Sequence, residues 1–162
     1  MEHVRYKGKS HEVRNDRLDL SNLYIHKISN LSNLSNLTDL KELDLSNNLL
    51  SEIEGLESLT SLEVLNLRFN QLEQVKGLRA LTRLKRLYLY NNQISEIQGL
   101  EGLTKLEELN LFDNHIKEIK SLNDLTNLKR LYLGSNRLKE IKGLDSLRGL
   151  EFLNLEKNFI KE

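Results

Sequence analysis

Between Leu40 and Leu150 one pattern returns every 22 residues, L-x-x-L-x-L-x-x-N-x-(I/L)-x-x-(I/V)-x-(G/S)-L-x-x-L, with its first Leu at Leu40, Leu62, Leu84, Leu106, Leu128 and Leu150. A unit this short cannot bury its own apolar side chains. Successive units must therefore stack as coils of a solenoid, each covering the next. The ninth place is Asn in all six units: Asn48, Asn70, Asn92, Asn114, Asn136 and Asn158.

Each part of the pattern has a physical task. The L-x-L stretch (Leu43 to Leu45 and its equivalents) alternates inside and outside as a short strand does, and stacked coils pair these strands into a parallel sheet. Beyond the Asn the apolar residues fall every third place, as in Ile53, Leu56, Leu59 and Leu62. That is the 3₁₀ period, so extended and 3₁₀-like turns are expected there in place of full α-helices. The Asn column is expected to form a buried ladder whose amides satisfy backbone groups where the chain leaves the strand. Gly55, Gly77, Gly99 and Gly143 recur at one place, replaced once by Ser121, which suggests a tight turn.

Upstream, LDLSNLYIHKI (Leu18 to Ile28) fits the strand-and-turn half of a unit if Leu18 and Leu20 stand where Leu43 and Leu45 stand, with Leu23 in place of the Asn. This register needs three extra residues before Leu40. The triplet SNL, written three times from Ser29 to Leu37, supplies them and keeps a period of three in phase. Residues 1–14 are an irregular N-terminal tail or a cap over the first coil. Residues 15–162 form the solenoid, with units starting near 15, 40, 62, 84, 106, 128 and 150 and the last incomplete.

Composition excludes several chemistries. The chain has no Cys, so disulfides, Cys-based metal sites and cysteine nucleophiles are out. Its 24 basic and 24 acidic residues cancel, which argues against a nucleic-acid or anionic-membrane partner. No apolar run approaches the roughly 18 residues of a membrane span, and MEHVRYKGKS does not read as a signal peptide. The expectation is a soluble, cytoplasmic protein, with the nucleus also open to it. His26 and His115 lie in different coils and His3 and His11 in the irregular start, without the spacing of metal ligands. Together with the absence of a nucleophile or phosphate-binding motif, this predicts a protein that is not an enzyme and needs no metal or cofactor.

The units GLESLTSLEVLNLRFNQLEQV, GLRALTRLKRLYLYNNQISEI and GLEGLTKLEELNLFDNHIKEI resemble leucine-rich repeats of the 22-residue class, and most of all the leucine-rich-repeat regulatory subunits of protein phosphatase 1. The opening LDLSNLYIHKI is similar to that family's first repeat. The resemblance covers residues 18–160. Bacterial internalins share the period but resemble the chain less, because it lacks their secretion signal and Pro-marked turns. The resemblance implies an α/β-type solenoid: a right-handed horseshoe of about seven coils, with a parallel sheet on the concave side and extended or 3₁₀ turns on the convex side. It also implies a regulatory scaffold holding a protein partner on the concave sheet.

Function is then sought in the variable strand-side places, the second, third, fifth, seventh and eighth of each unit. Six of the nine aromatic residues fall there: Phe69, Tyr88, Tyr90, Phe112, Tyr132 and Phe152. With Arg86 and Arg130 they have the composition of a binding hot spot, centred on Tyr88, Tyr90, Phe112 and Tyr132. Sheet propensity would account for aromatics too, yet β-branched residues serve it equally and only Val64 appears. The second place alternates Lys41, Glu63, Lys85, Glu107, Lys129, Glu151, a pattern suited to cross-strand ion pairs. The alternative function is self-assembly: Leu153, Leu155 and Ile160 of the last unit, uncovered, would join two copies into a homodimer through the C-terminal end.

Overall fold

The computed structural model describes residues 2–161; Met1 and Glu162, the outer bounds of the two expected segments, lie outside the described residues. Seven three-residue strands form one parallel sheet in chain order: β3 (Arg17–Asp19), β4 (Glu42–Asp44), β5 (Val64–Asn66), β6 (Arg86–Tyr88), β7 (Glu108–Asn110), β8 (Arg130–Tyr132) and β9 (Phe152–Asn154). The register is uniform, with Leu18, Leu43, Leu65, Leu87, Leu109, Leu131 and Leu153 side by side. Before the sheet, β1 (His3–Tyr6) and β2 (Lys9–Glu12) make an antiparallel hairpin. The hairpin buries Val4 and Tyr6 in the main core, exchanges backbone hydrogen bonds between Arg5 and Ser32, and sends the Tyr6 hydroxyl to the Tyr24 carbonyl.

The strands centre on the first Leu of the L-x-L stretch, one residue before the middle of that stretch. The middle Leu points inward, and the second Leu lies just past the strand, also buried. Its N–H still donates across the coils, as from Leu67 to the Tyr88 carbonyl at 2.8 Å. On the far side Leu100, Leu103 and Leu106 are fully buried, and N–H groups reach back three residues, Leu103 to Leu100 and Leu106 to Leu103. The hydrogen bonds repeat in every coil, with Leu144 and Leu150 only partly buried in the last of these turns, so the period of three seen in the sequence is the spacing of successive turns. Two 3₁₀ segments, Ile28–Asn30 and Leu34–Asn36, lie in the first coil, where the extra triplet keeps Ile28, Leu31, Leu34, Leu37 and Leu40 all buried. Each such side chain contributes roughly 1.5–3 kcal/mol of burial, and only a neighbouring coil makes that burial complete.

The Asn column sets how coils join. Asn92 donates to the Leu89 carbonyl of its own coil and to the Leu67 carbonyl of the coil before, both at 3.0 Å, and accepts the Leu72 N–H at 3.0 Å. Asn70, Asn114, Asn136 and Asn158 repeat the scheme. The bonds all point toward the N-terminus, so an Asn is useful only in a coil that has a predecessor. The first coil follows no other, and there Leu23 stands in the column with its own N–H given to Asn48. The recurrent Gly has a similar inter-coil cause. Gly99 sits at φ 74°, and a Cβ on it would run into the Val75 carbonyl of the previous coil.

Asn92→Ala leaves the buried Leu72 N–H without its acceptor and takes one of two amide donors from each of the Leu67 and Leu89 carbonyls, which Asn70 and Asn114 still reach, and is expected to cost about 2–4 kcal/mol of unfolding free energy. Asn158, half-buried in the last coil, should cost less than about 1 kcal/mol because water replaces its bonds. Urea melts of the two variants check the difference.

Candidate functional site

Alternation along a three-residue strand fixes what the sheet displays. The middle Leu faces the core, so the third and fifth places face the opposite way, and the seventh and eighth follow beyond the strand end. The third places are Glu42, Val64, Arg86, Glu108, Arg130 and Phe152. The seventh are Ser46, Arg68, Tyr90, Phe112, Gly134 and Glu156.

At the fifth place an Asn or Asp side chain closes its own turn. Asp44 accepts the Ser46 N–H at 2.9 Å, Asn66 the Arg68 N–H at 3.3 Å, Asn110 the Phe112 N–H at 3.0 Å and Asn154 the Glu156 N–H at 3.1 Å. Asp19 does the same for Ser21, and that bond holds its carboxyl below the ordinary aspartate range. Tyr88 and Tyr132 occupy this place in alternate coils and give up the bond. Both lie half-buried on the sheet. Burial, and then the nearby Glu108, push the Tyr88 phenol above its usual range, so it stays a neutral donor.

Beyond the strand ends three side chains from two coils meet. Phe69 and Tyr90 pack edge to face with ring centroids 5.3 Å apart. The Arg68 guanidinium donates to the Tyr90 hydroxyl at 2.7 Å and lies 5.7 Å from its ring centroid. The eighth place is left-handed in every coil, and its other occupants after the first coil are Asn47, Asn91, Asp113, Ser135 and Lys157. Phe69, at φ 53° and 41% exposed, is the residue least suited to that backbone. Arg68 was not among the residues expected from sequence. The signal was there: an Arg one unit before a Tyr at the same place brings cation and ring side by side across the sheet.

The expected centre of four aromatics is divided. Tyr132 contacts Phe152 at 5.0 Å, while Phe112 lies over Gly134, where a Cβ would meet its ring at 2.9 Å. Among the described residues no ring contact joins Tyr88 to the others. The two expected arginines also differ. Arg130 is tied to Glu108 at 3.2 Å, whereas Arg86 is exposed in the wall of a recess of about 210 Å³ that it shares with Asp44, Val64, Asn66 and Tyr88. At the second place Lys85 pairs with Glu63 at 2.7 Å, Lys129 with Glu107 at 3.4 Å and Lys41 with Asp16 at 2.9 Å. Lys85 holds the Glu63 carboxyl below its ordinary range, and Asp16 raises the Lys41 amine. Exposed pairs of this kind set register and charge pattern more than stability.

Elsewhere, Leu153, Leu155 and Ile160 are half-buried where their equivalents in earlier coils are buried. Among the described residues no group of three or more His, Asp or Glu is placed to hold a metal ion, and no helix is long and apolar enough to cross a membrane.

A family model for leucine-rich repeats (two copies) matches residues 38–80, 82–125 and 126–162. A search of curated proteins finds no match. Similar solved structures include an internalin C2 of Listeria monocytogenes, at 28% identity and TM-score 0.80, covering 91% of this chain and 74% of that one. A leucine-rich-repeat protein of Leptospira interrogans gives 30% identity and TM-score 0.71, covering 76% of this chain and 33% of its own. A second Listeria monocytogenes internalin gives 30% identity and TM-score 0.59, covering 86% and 47%. The chain thus spans about a third and about half of the latter two. Two of these three are internalins, and none of them supports the preference for phosphatase subunits drawn from the sequence.

Phe69→Asn and Phe69→Ala remove the same ring contact but differ in their tolerance of a left-handed backbone. The Asn variant is expected to be about 0.5–1 kcal/mol more stable in urea unfolding, and equal stability would contradict the assignment of strain.

Proposed function

Because the chain belongs to the leucine-rich repeat family, we propose that it is a non-catalytic interaction scaffold that docks a partner protein on the strand side of its sheet. One observation carries the reading: strand-side places hold aromatic residues that the scaffold does not need. Tyr88 and Tyr132 displace a turn-closing Asn or Asp, and Phe69 occupies a backbone that favours Asn. Stability alone would select against these choices. Half-buried rings beside Arg86 instead offer rigid area and a polar handle, as docking hot spots do. On this reading Phe69, Arg86, Tyr88, Tyr90, Phe112 and Tyr132 form the docking face, with Phe152 at its margin and Arg130 setting its charge pattern.

A phosphatase-regulator role has only the sequence resemblance behind it, and an intracellular setting has only the cysteine-free composition. Self-association is the second reading, favoured by the half-buried Leu153, Leu155 and Ile160, which a second copy or a further coil would cover equally well.

Two expected outcomes follow. Tyr88→Ala combined with Phe112→Ala abolishes partner capture, measured by quantitative affinity pull-down from cell extract, while the melting curve changes little; retained capture refutes the docking face. If the second reading holds, the 162-residue chain sediments as a dimer and Leu155→Lys returns it to a monomer; a wild-type monomer at micromolar concentration refutes it.

A further inference from the structure

The cations of the docking face are unequally matched. Among the described residues Arg17, Lys41, Lys85, Lys129 and Arg130 each lie within 4.0 Å of a carboxylate. Arg68 and Arg86 do not, although they stand in adjacent coils at the middle of the sheet. The carboxylates nearest to hand are already used. Asp44 accepts from the Ser46 N–H and the Asn66 amide, Glu63 from Lys85, and Glu108 from Arg130. Arg86 has Val64 in register on one side and the committed Glu108 on the other.

Arg68 is the sharper case. Its Nη1 donates to the Tyr90 hydroxyl, but its Nε is buried and has no acceptor. Buried donors in folded proteins almost always find an acceptor, so an orphan here marks a place where the free protein lacks one. A guanidinium presents its donors as a planar fork that fits a carboxylate two at a time. A carboxylate arriving at the strand ends could take Nε together with an Nη once the side chain turns up from the sheet.

We propose that the middle of the strand face takes an acidic segment of a partner protein, one carboxylate bound by Arg68 and a second by Arg86, with Tyr88 and Tyr90 packing the chain between them. The inference rests on the docking reading above and gives its occupant a chemistry. Arg68 and Arg86 are four places apart along the strand direction and one strand apart across it, roughly 14 Å at ordinary sheet spacings, so an extended segment spans them with acidic residues about four apart. A nucleic-acid backbone, charged at every nucleotide, fits less well than two spaced carboxylates, because its phosphates between and beyond the arginines would meet Glu63, Glu107, Glu108 and Asp113 on the same face.

Selection of short random peptides on the full chain reads this chemistry without assuming a partner. The expected result is enrichment of Asp and Glu over the input library, binding that weakens with added salt, and a loss of about tenfold or more in affinity when Arg68→Gln and Arg86→Gln are combined. Arg86→Gln alone, at an exposed position, should already weaken binding while leaving the melting curve unchanged. Neutral or basic peptides, acidic peptides indifferent to both arginines, or no selected peptide at all would overturn the proposal. Non-acidic peptides that are lost with Tyr88→Ala and Phe112→Ala would overturn the acidic occupant and leave the docking face standing. Peptides indifferent to all four positions would overturn both.

Discussion

Every coil must turn out of its strand into a dry interior, and the carbonyls and N–H groups at that corner need partners that the short backbone cannot supply. The buried Asn amide supplies them. It has two donors and one acceptor oxygen, and each coil offers it two carbonyls and an N–H, one carbonyl its own and the other two groups its predecessor's. Much else follows from that one fit. The 22-residue period keeps the amides in column, and the stacking is directional. Glycine is favoured where coils come closest. The first coil, with no predecessor to bond, carries Leu23 in the column and packs against a hairpin that buries Val4 and Tyr6.

Because the core and the Asn corner hold the coils together, the strand side is relieved of most structural duty. It keeps two modest tasks, the turn-closing Asn or Asp at the fifth place and the exposed ion pairs at the second. On the proposed docking reading, what departs from those tasks carries information about recognition. Tyr88, Tyr132 and Phe69 depart at a cost to the scaffold, and Arg68 and Arg86 depart by lacking the carboxylate that their neighbours have. The departures gather on β5 to β8, the middle of the sheet, where a partner can reach several coils at once.

The fold was legible because each of its rules is written six times. A Leu column, a spacing of three and an invariant Asn leave one arrangement in which all the apolar side chains are covered, and even the extra SNL triplet could be read as a phase-keeping insertion. The candidate site was less legible, because its geometry depends on side-chain choices made once. The alternation along each strand identified which residues face outward. It could not say that Glu108 pairs with Arg130 and leaves Arg86 without a carboxylate, nor that Phe112 lies over Gly134 with no ring contact to Tyr88. The turn-closing role of Asn66, Asn110 and Asn154 was written in the sequence as an Asn two places before an outward residue, a local pattern hidden beneath the stronger period. Resemblance had the same limits: the repeat units establish the repeat class but carry no partner, and together with the opening LDLSNLYIHKI they led toward phosphatase subunits, whereas the similar solved structures include internalins.

The central claim is a division of labour, with stability in the Leu and Asn columns and recognition on the strand face. Scanning proteolysis of single alanine variants at every position of the sheet and its corner tests it in one measurement. The account predicts that Tyr88, Tyr90, Phe112, Tyr132 and Arg68 variants stay within about 1 kcal/mol of the parent. It predicts that the interior Asn and Leu variants lose about 2 kcal/mol or more. Strand-side aromatic variants that unfold as readily as the Asn variants would contradict it, because the rings would then be part of the scaffold.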